Sequence, residues 1–181
     1  AGLNLGGGKA VIIGNSKNDK NEILFRSFGR FVEGLAGRYI TAEDVNTRVE
    51  DIEHIFTETT NVVGVAEVHG GSGNPSPWTA RGVFRGIEAS CLKVFGDRSP
   101  KGKVVALQGA GSVGRYLGEW LYNEGAQVYV CDISERNLEL FKEKVPNAKI
   151  VGVDEIYDVD CDIYSPCALG ATVNDDTIER L

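Results

Sequence analysis

The second half of the chain alternates short apolar runs with amphipathic helical patterns, and this alternation restricts the possible folds more than any other feature. KVVALQG and QVYVCD have the apolar density of buried strands, and AKIVG and DCDIYSP are predicted to be further strands. SVGRYLGEWLYNEG and SERNLELFKEKV have the spacing of helices. Strands that alternate with helices through short loops form a parallel sheet by βαβ crossovers, so the sequence predicts an α/β fold.

The hexamer GAGSVG supplies this half of the chain with a candidate binding turn. Gly109, Gly111 and Gly114 have G-x-G-x-x-G spacing, follow an apolar strand and open an amphipathic helix. In such a turn the first glycine permits a tight bend, the second lets the backbone approach a pyrophosphate, and the third allows helix and strand to pack closely. We therefore predict a Rossmann-type, doubly wound parallel-sheet domain over residues 77–181, truncated at its C-terminal end. The alternative is a βα turn whose glycines are purely structural.

Asp132 determines which dinucleotide is predicted. It ends the second strand, about 20 residues beyond the glycines, where a carboxylate can accept a hydrogen bond from a ribose 2′-hydroxyl. Its charge would repel a 2′-phosphate, which favours NAD over NADP, although the nearby Arg136 weakens that preference. Ser112 and Val113 within the turn and Ile133 after the acid are the adjoining residues expected to line the cofactor.

The first half predicts a partial mixed α/β substrate domain over residues 1–76. KAVIIG has the apolar density of a short buried strand, and RYITAED is predicted to be a strand that runs into a loop. Two amphipathic helices are expected from stripes of apolar residues at helical spacing, the first of Leu24, Phe28, Phe31, Val32 and Leu35, the second of Val49, Ile52, Ile55 and Phe56. HGGSGNPSP marks the domain boundary, and a helix should follow over roughly residues 78–95.

Lys9 stands directly after a run of glycines, at the mouth of the first predicted strand. Glycines such as Gly7 and Gly8 let a substrate approach the backbone without obstruction by side chains. A lysine drawn into a partly dry cleft gives up its proton more readily and can then polarise a carbonyl or pass a proton to water. Glu43 and Asp44 lie in the loop of ITAEDVN, and a carboxylate paired with a lysine is a standard arrangement for proton transfer. The competing interpretation is a solvated lysine and exposed loop acids.

Net charge and cysteine spacing restrict the binding partners, metal sites and cellular setting that the sequence predicts. The net charge of −7 argues against nucleic acid and anionic membrane, since both reward a basic face. The sequence has no apolar run of transmembrane length and no signal peptide pattern. The four cysteines have neither a C-x-x-C pair nor a metal-ligand spacing, so we predict no metal site and a reducing, cytoplasmic setting.

The chain starts at Ala1 and ends in DDTIERL, within an apparent helix start, which suggests a piece of a longer protein.

Five stretches together carry a resemblance to a known family: AGLNLGGGKAVIIG, GRYITAEDV, SGNPSP, GAGSVG and CDIYSPCALGA. In this order, and over essentially the whole chain, they resemble the Glu/Leu/Phe/Val amino-acid dehydrogenases. The resemblance implies reversible, NAD-dependent oxidative deamination of an apolar L-amino acid of the leucine or valine type to its 2-oxo acid and ammonia. It also implies a homo-oligomer in the full-length protein. An aromatic or a glutamate-type substrate, and a fragment that binds NAD without chemistry, are the alternatives.

The resemblance also implies roles for individual residues. Lys9 matches the lysine that activates water and polarises the carbonyl, and Asp44 matches the aspartate that shuttles protons to and from the substrate nitrogen. The remaining matches are to the substrate pocket, Gly7, Gly8, Ala42 and Val63, and to the cofactor, Thr79, Cys167 and Ala168. Two departures stand out: the family's second substrate-binding lysine would lie upstream of Ala1, and Asn46 replaces a glycine that many members have.

Overall fold

The computed structural model describes residues 2–181 and divides the chain into two compact units. One unit ends at Pro75 and the other extends from Ser76 to Leu181. The two units have different architectures: the first is built mainly on helices, and the second holds a sheet. The assignment of a substrate domain to the first unit and a cofactor domain to the second stays a prediction.

The first unit is built around two packed helices, α1 (Glu22–Gly34) and α2 (Val49–Phe56), followed by a 3₁₀ turn at Glu67–His69. α1 begins where the Asn21 side chain accepts a hydrogen bond from the Leu24 N–H at 2.9 Å, which satisfies one of the free donors of the first turn. Close packing of α1 on α2 requires a glycine at position 29, because a Cβ there would lie 2.9 Å from the carbonyl oxygen of Ile55.

The buried face of α1 differs from the predicted stripe. Phe25, Gly29 and Val32 are buried, whereas the side chain of Phe31 is 78% exposed. The helix is amphipathic as expected, but it is rotated about its axis so that the face centred on Gly29 packs against Ile55. Residue spacing defines only an apolar stripe that covers about a third of the helix circumference. Within that stripe, the contact between the helices is centred on the smallest residue, because it allows the closest approach.

The two strands predicted in the first unit are wrong. KAVIIG forms no strand, and Val11 and Ile13 are 81% and 98% exposed. RYITAED contributes only an isolated bridge, between Thr41 and Val62. A strand needs a neighbouring strand for its N–H and C=O groups, and among residues 2–181 the KAVIIG segment has none beside it.

The second unit contains a four-stranded parallel sheet in the order β3-β2-β1-β4. Its strands are β1 (Val104–Gln108), β2 (Gln127–Cys131), β3 (Lys149–Ile150) and β4 (Ile163–Pro166). Helix α4 (Ser112–Asn123) connects β1 to β2, and α5 (Glu135–Lys144) connects β2 to β3. The prediction of an α/β chain with a Rossmann-type parallel sheet is confirmed.

The sheet is covered on both faces. Val105 and Leu107 of β1 share the larger apolar core with α4, α5 and α3 (Ser76–Phe95). Ala106 faces the other way, toward a 3₁₀ segment, Glu155–Asp158, which covers that face in place of an α-helix. A second 3₁₀ turn lies at Ile178–Arg180. Among residues 2–181, no helix is both long and apolar enough to cross a membrane.

Alanine substitutions at two helical glycines of this unit should change its stability in opposite directions. A Cβ at Gly118 of α4 would collide with the ring of Phe141, which is fully buried. We expect Gly118→Ala to destabilise the unit by about 1–3 kcal/mol through overpacking. Gly86 of α3 is exposed with nothing within 4 Å of its Cβ position, so Gly86→Ala should stabilise by about 0.5–1 kcal/mol. Urea unfolding measures both, and equal shifts of the same sign would contradict this packing.

Candidate functional site

The first unit brings Lys9 and Asp44 together although 35 residues separate them in the sequence. The Lys9 ammonium donates to Oδ2 of Asp44, and the two side chains are 70% and 52% exposed. An ion pair this exposed contributes little to stability, about 0–1 kcal/mol. The expected partly dry cleft around Lys9 is therefore not formed by the first unit itself, because no apolar layer of this unit covers the lysine.

Local hydrogen bonds orient the Asp44 carboxylate. Oδ1 accepts the Val45 N–H at 2.7 Å, which leaves Oδ2 for Lys9. The Asp44 N–H donates to the Thr47 hydroxyl at 2.8 Å, and that hydroxyl donates back to the Asp44 carbonyl at 2.8 Å. Asn46 follows with a φ of 62°, in the left-handed region that glycine prefers and that asparagine tolerates. Residues 44–47 therefore form a compact turn that presents one carboxylate oxygen.

The predicted substrate residues belong to two parts of the first unit, the segment before Lys9 and the region of the bridge between Thr41 and Val62. A Cβ at Gly8 would sit 3.0 Å from the ring of Tyr39, so glycine allows the segment before Lys9 to lie against that ring, while the Cβ position of Gly7 faces open space. The bridge pairs Thr41 with Val62, and the Val63 N–H donates to the Thr41 carbonyl at 2.9 Å, so Ala42 and Val63 each directly follow a bridged residue. Both are exposed.

Glu43, beside the ion pair, contains an unusual polar atom. Its Oε2 is buried and has no hydrogen-bond partner among residues 2–181. Burial raises the pKa of Glu43, and the neighbouring carboxylates of Glu50 and Asp51 raise that pKa further, while Lys20 lowers it. Folding therefore favours the protonated form of this side chain more than water does.

The second unit assembles the glycine turn against the loop after β4. Gly109 has a φ of 105°, and its N–H donates to the Cys131 carbonyl at 2.8 Å. A Cβ there would lie 2.7 Å from the carbonyl oxygen of Cys167 and 2.8 Å from the N–H nitrogen of Ala168. Both the backbone angle and the contact require glycine. Gly109, Cys167 and Ala168, all predicted to line the cofactor, are thus brought together.

The other two glycines of the turn differ from each other. A Cβ at Gly114 would collide with the Gly109 carbonyl, so this glycine is required for helix α4 to pack against the turn. The Cβ position of Gly111, in contrast, has nothing within 4 Å. The backbone at Gly111 is therefore open to a ligand at the N-terminus of α4, where Ser112 is exposed and Val113 is half-buried. The N-terminus of a helix favours an anion such as a phosphate.

The Asp132 side chain is hydrogen-bonded to the backbone of the glycine turn. Its Oδ2 accepts the Ala110 N–H at 2.7 Å, and its Oδ1 accepts the Ser134 N–H at 2.8 Å. The carboxylate thus holds the turn after β1 against the end of β2. Ile133 beside it is 91% exposed. Thr79 is exposed in the first turn of α3, and its place near a nicotinamide stays a prediction.

Sequence reasoning missed three residues beneath this turn. Gln108, the last residue of β1, is buried and hydrogen-bonded to the hydroxyls of Tyr157 and Tyr164. The available signal was an amide in an otherwise apolar strand, directly before Gly109. No sequence pattern indicates the tyrosines, because both come from distant segments of the chain.

Within the part of the chain that the structure describes, no group of three or more His, Cys, Asp or Glu side chains could hold a metal ion. Burial raises the pKa of the Cys167 thiol, so this cysteine beside the glycine turn stays protonated at neutral pH.

Comparison with known proteins gives consistent matches. Residues 1–61 match the profile of the Glu/Leu/Phe/Val dehydrogenase dimerisation domain. Leucine dehydrogenase of Thermoactinomyces intermedius is 57% identical over all 181 residues of this chain, which cover 49% of that enzyme. Leucine dehydrogenase of Bacillus subtilis is 54% identical over the same 181 residues, which cover 50% of it.

A solved structure matches as well. The crystal structure of L-tryptophan dehydrogenase from Nostoc punctiforme superposes with a TM-score of 0.67 at 40% identity, over 99% of this chain and 50% of that one. The chain spans about half the length of the curated relatives it matches.

Proposed function

Because the chain belongs to the Glu/Leu/Phe/Val dehydrogenase family, we propose that it carries part of an NAD-dependent dehydrogenase of an apolar L-amino acid, leucine first. The reaction converts the amino acid, NAD⁺ and water into the 2-oxo acid, ammonium, NADH and a proton. The observation that supports the chemistry most directly is the contact between Lys9 and Asp44, two residues far apart in the sequence.

In this proposal Lys9 and Asp44 divide the proton transfers. When bound, NAD supplies the acceptor for the hydride that leaves the substrate Cα. Asp44 takes a proton from the substrate ammonium, so that the nitrogen lone pair can assist hydride departure. Lys9, as the neutral amine, accepts a proton from the water that adds to the resulting iminium carbon. Asp44 returns its proton to the nitrogen and then takes the hydroxyl proton as the C–N bond breaks, the carbonyl forms and ammonia leaves, while the Lys9 ammonium polarises that carbonyl. Their mutual contact allows the proton to pass between them.

The turn at Gly109 to Gly114 fits the dinucleotide. Gly111 leaves its Cβ position open, as close approach of a pyrophosphate to the backbone requires. The N-terminus of α4 supplies N–H groups and the positive end of the helix dipole. Asp132 lies at the end of β2, and we propose that it accepts a hydrogen bond from the adenine ribose while it holds Ala110.

The test uses a chimera in which this chain replaces the aligned half of the Thermoactinomyces intermedius leucine dehydrogenase, since the two sequences align over the whole chain. NADH formation is followed by absorbance with a panel of aliphatic, aromatic and acidic L-amino acids. We expect leucine and valine to be turned over fastest. No turnover of any aliphatic or aromatic amino acid, in a chimera that folds, would refute the proposal.

The substrate class rests on identity and on the pocket residues. Leucine dehydrogenases are 52–57% identical to this chain, against 40% for the tryptophan dehydrogenase, so the aromatic alternative is less favoured. Ala42 and Val63 are apolar and exposed, which suits an aliphatic substrate side chain better than a carboxylate. Faster turnover of tryptophan or phenylalanine than of leucine would reverse this order.

An NAD-binding module without chemistry is the second candidate, and the 70% exposure of Lys9 in the first unit favours it. Binding of NAD to the 181-residue chain together with an inactive chimera would support this candidate. We also propose a homo-oligomer for the full-length protein, supported by the dimerisation-domain match at residues 1–61. The cytoplasmic setting stays a prediction.

Removing the charge of Asp132 tests the choice between NAD and NADP. Asparagine keeps an oxygen that can accept the Ala110 N–H and carries no charge to repel a 2′-phosphate, although its NH₂ group cannot accept the Ser134 N–H. We expect Asp132→Asn to lower the ratio of NADP to NAD dissociation constants by about tenfold, or about 1.4 kcal/mol. Isothermal titration with both dinucleotides measures the ratio, and Asp160→Asn, an exchange at an acid outside the turn, is the control. An unchanged ratio would remove Asp132 from cofactor selection.

A further inference from the structure

Gln108 is a buried amide whose two polar atoms are both engaged, on the sheet face away from α4 and α5. Its Nε2 donates to the Tyr157 hydroxyl at 2.9 Å, and the Tyr164 hydroxyl donates to its Oε1. The two tyrosine rings stack with centroids 5.8 Å apart. Burial raises the pKa of Tyr164, so its hydroxyl stays a donor at neutral pH. One side chain of β1 thus connects the 3₁₀ segment that contains Tyr157 to strand β4.

The backbone of the same residue joins the two turns that meet at the dinucleotide site. The Gln108 carbonyl accepts the Cys167 N–H at 2.7 Å, and the next residue is Gly109. The absent Cβ of Gly109 leaves room for the Cys167 carbonyl, so a shift of β4 by a few tenths of an ångström would alter this contact. The distance between the turns therefore depends on how firmly β4 is held to the end of β1.

We propose that Gln108 is a positioning residue for dinucleotide binding, which acts by holding the turn at Gly109 and the turn at Cys167 at the separation that the ligand needs. The inference rests on the proposed NAD site and deepens it. Gln108 itself does not contact the ligand: its side chain is covered by the two tyrosines beneath the turn. Its effect on affinity is transmitted through the positions of the two turns.

The first test replaces Gln108 by methionine, which has a similar length and no amide. We expect Gln108→Met to raise the Kd of the 181-residue chain for NAD⁺ by about tenfold, or about 1.4 kcal/mol, as measured by isothermal titration. Gln127→Met, at an exposed glutamine that begins β2, is the matched control and should leave the Kd unchanged. If Gln108→Met does not fold, Tyr164→Phe removes the donor to Oε1 and should change the Kd in the same direction.

A second variant separates positioning from stability. Gln108→Met leaves two tyrosine hydroxyls without their amide partner, and an unsatisfied buried group is costly. The triple variant Gln108→Met/Tyr157→Phe/Tyr164→Phe removes those hydroxyls too, so most of the lost stability should return. The hydrogen bonds that hold β4 are still missing, and the Kd should stay raised.

The outcomes separate this inference from the function on which it rests. A raised Kd in the triple variant, at recovered stability, supports positioning. Recovery of both stability and Kd in the triple variant would overturn the positioning inference but not the proposed NAD site. An unchanged Kd in Gln108→Met or Tyr164→Phe would do the same. Failure of the unaltered chain to bind NAD⁺ would instead contradict the proposed NAD site, and the inference with it.

Discussion

Replacing Lys9 by alanine is expected to lower turnover of leucine by the chimera by about 10²–10⁴-fold, the range for loss of a proton-transfer group. The substitution removes the Lys9 nitrogen that contacts Asp44, and this nitrogen, as the neutral amine, is the proposed base for the water that adds to the iminium carbon. Because the Lys9 side chain is largely exposed, the fold loses no core packing and the melting temperature should stay within a few degrees. Initial rates of NADH formation measure the effect.

Two measurements make the Lys9 result specific. Lys17→Ala removes a different exposed lysine of the first unit and should leave turnover unchanged. The Kd for NAD⁺ should also be unchanged in Lys9→Ala, because the proposed dinucleotide turn belongs to the second unit. Turnover by Lys9→Ala within about threefold of the unaltered chimera, less than 1 kcal/mol, would exclude Lys9 as the catalytic lysine.

Alanine at Gly114 is expected to destabilise the second unit by about 3 kcal/mol, because its Cβ would collide with the Gly109 carbonyl. The collision is with backbone, and no rotation of a side chain can relieve it. Since the turn must open to admit the methyl group, NAD affinity should fall as well. Urea unfolding and isothermal titration of the 181-residue chain measure the two effects.

Gly111 is the matched control for Gly114, three residues away in the same turn. Its φ of −67° suits alanine and its Cβ position is open, so Gly111→Ala should leave stability unchanged. If the pyrophosphate approaches the backbone there, the same methyl group will weaken NAD binding by at least about tenfold, or about 1.4 kcal/mol. A Gly111→Ala chain that binds NAD as well as the unaltered chain would mean that the glycines are only structural.

The sequence by itself determined the second unit well. The alternation of strands and helices and the spacing of Gly109, Gly111 and Gly114 are local patterns, and each has a local physical cause. A strand buried on both faces must be apolar, and a tight βα turn must have glycine, whatever surrounds it. For this reason the parallel sheet, the α4 start and the acid after β2 were all found where predicted.

The first unit was predicted less well, because the patterns there depend on partners that no local window contains. KAVIIG is as apolar as a buried strand, but burial also needs a neighbouring strand, and the described chain places none beside it. The apolar stripe predicted on α1 had the right helical period but was centred on the wrong residues. The buried face is set by the approach of Gly29 to Ile55, which is a contact between two helices. Periodicity predicts that a helix has an apolar face, and only packing decides which residues become buried.

Only the tertiary structure decided which side chains meet. The contact of Lys9 with Asp44, the anchoring of Ala110 by Asp132, and the pairing of Gln108 with Tyr164 each join residues more than 20 positions apart. A hydrogen bond depends on distance and direction within fractions of an ångström, and those quantities are set by the packing of whole elements. The sequence determined which chemical groups are available, and the fold determined which of them act together.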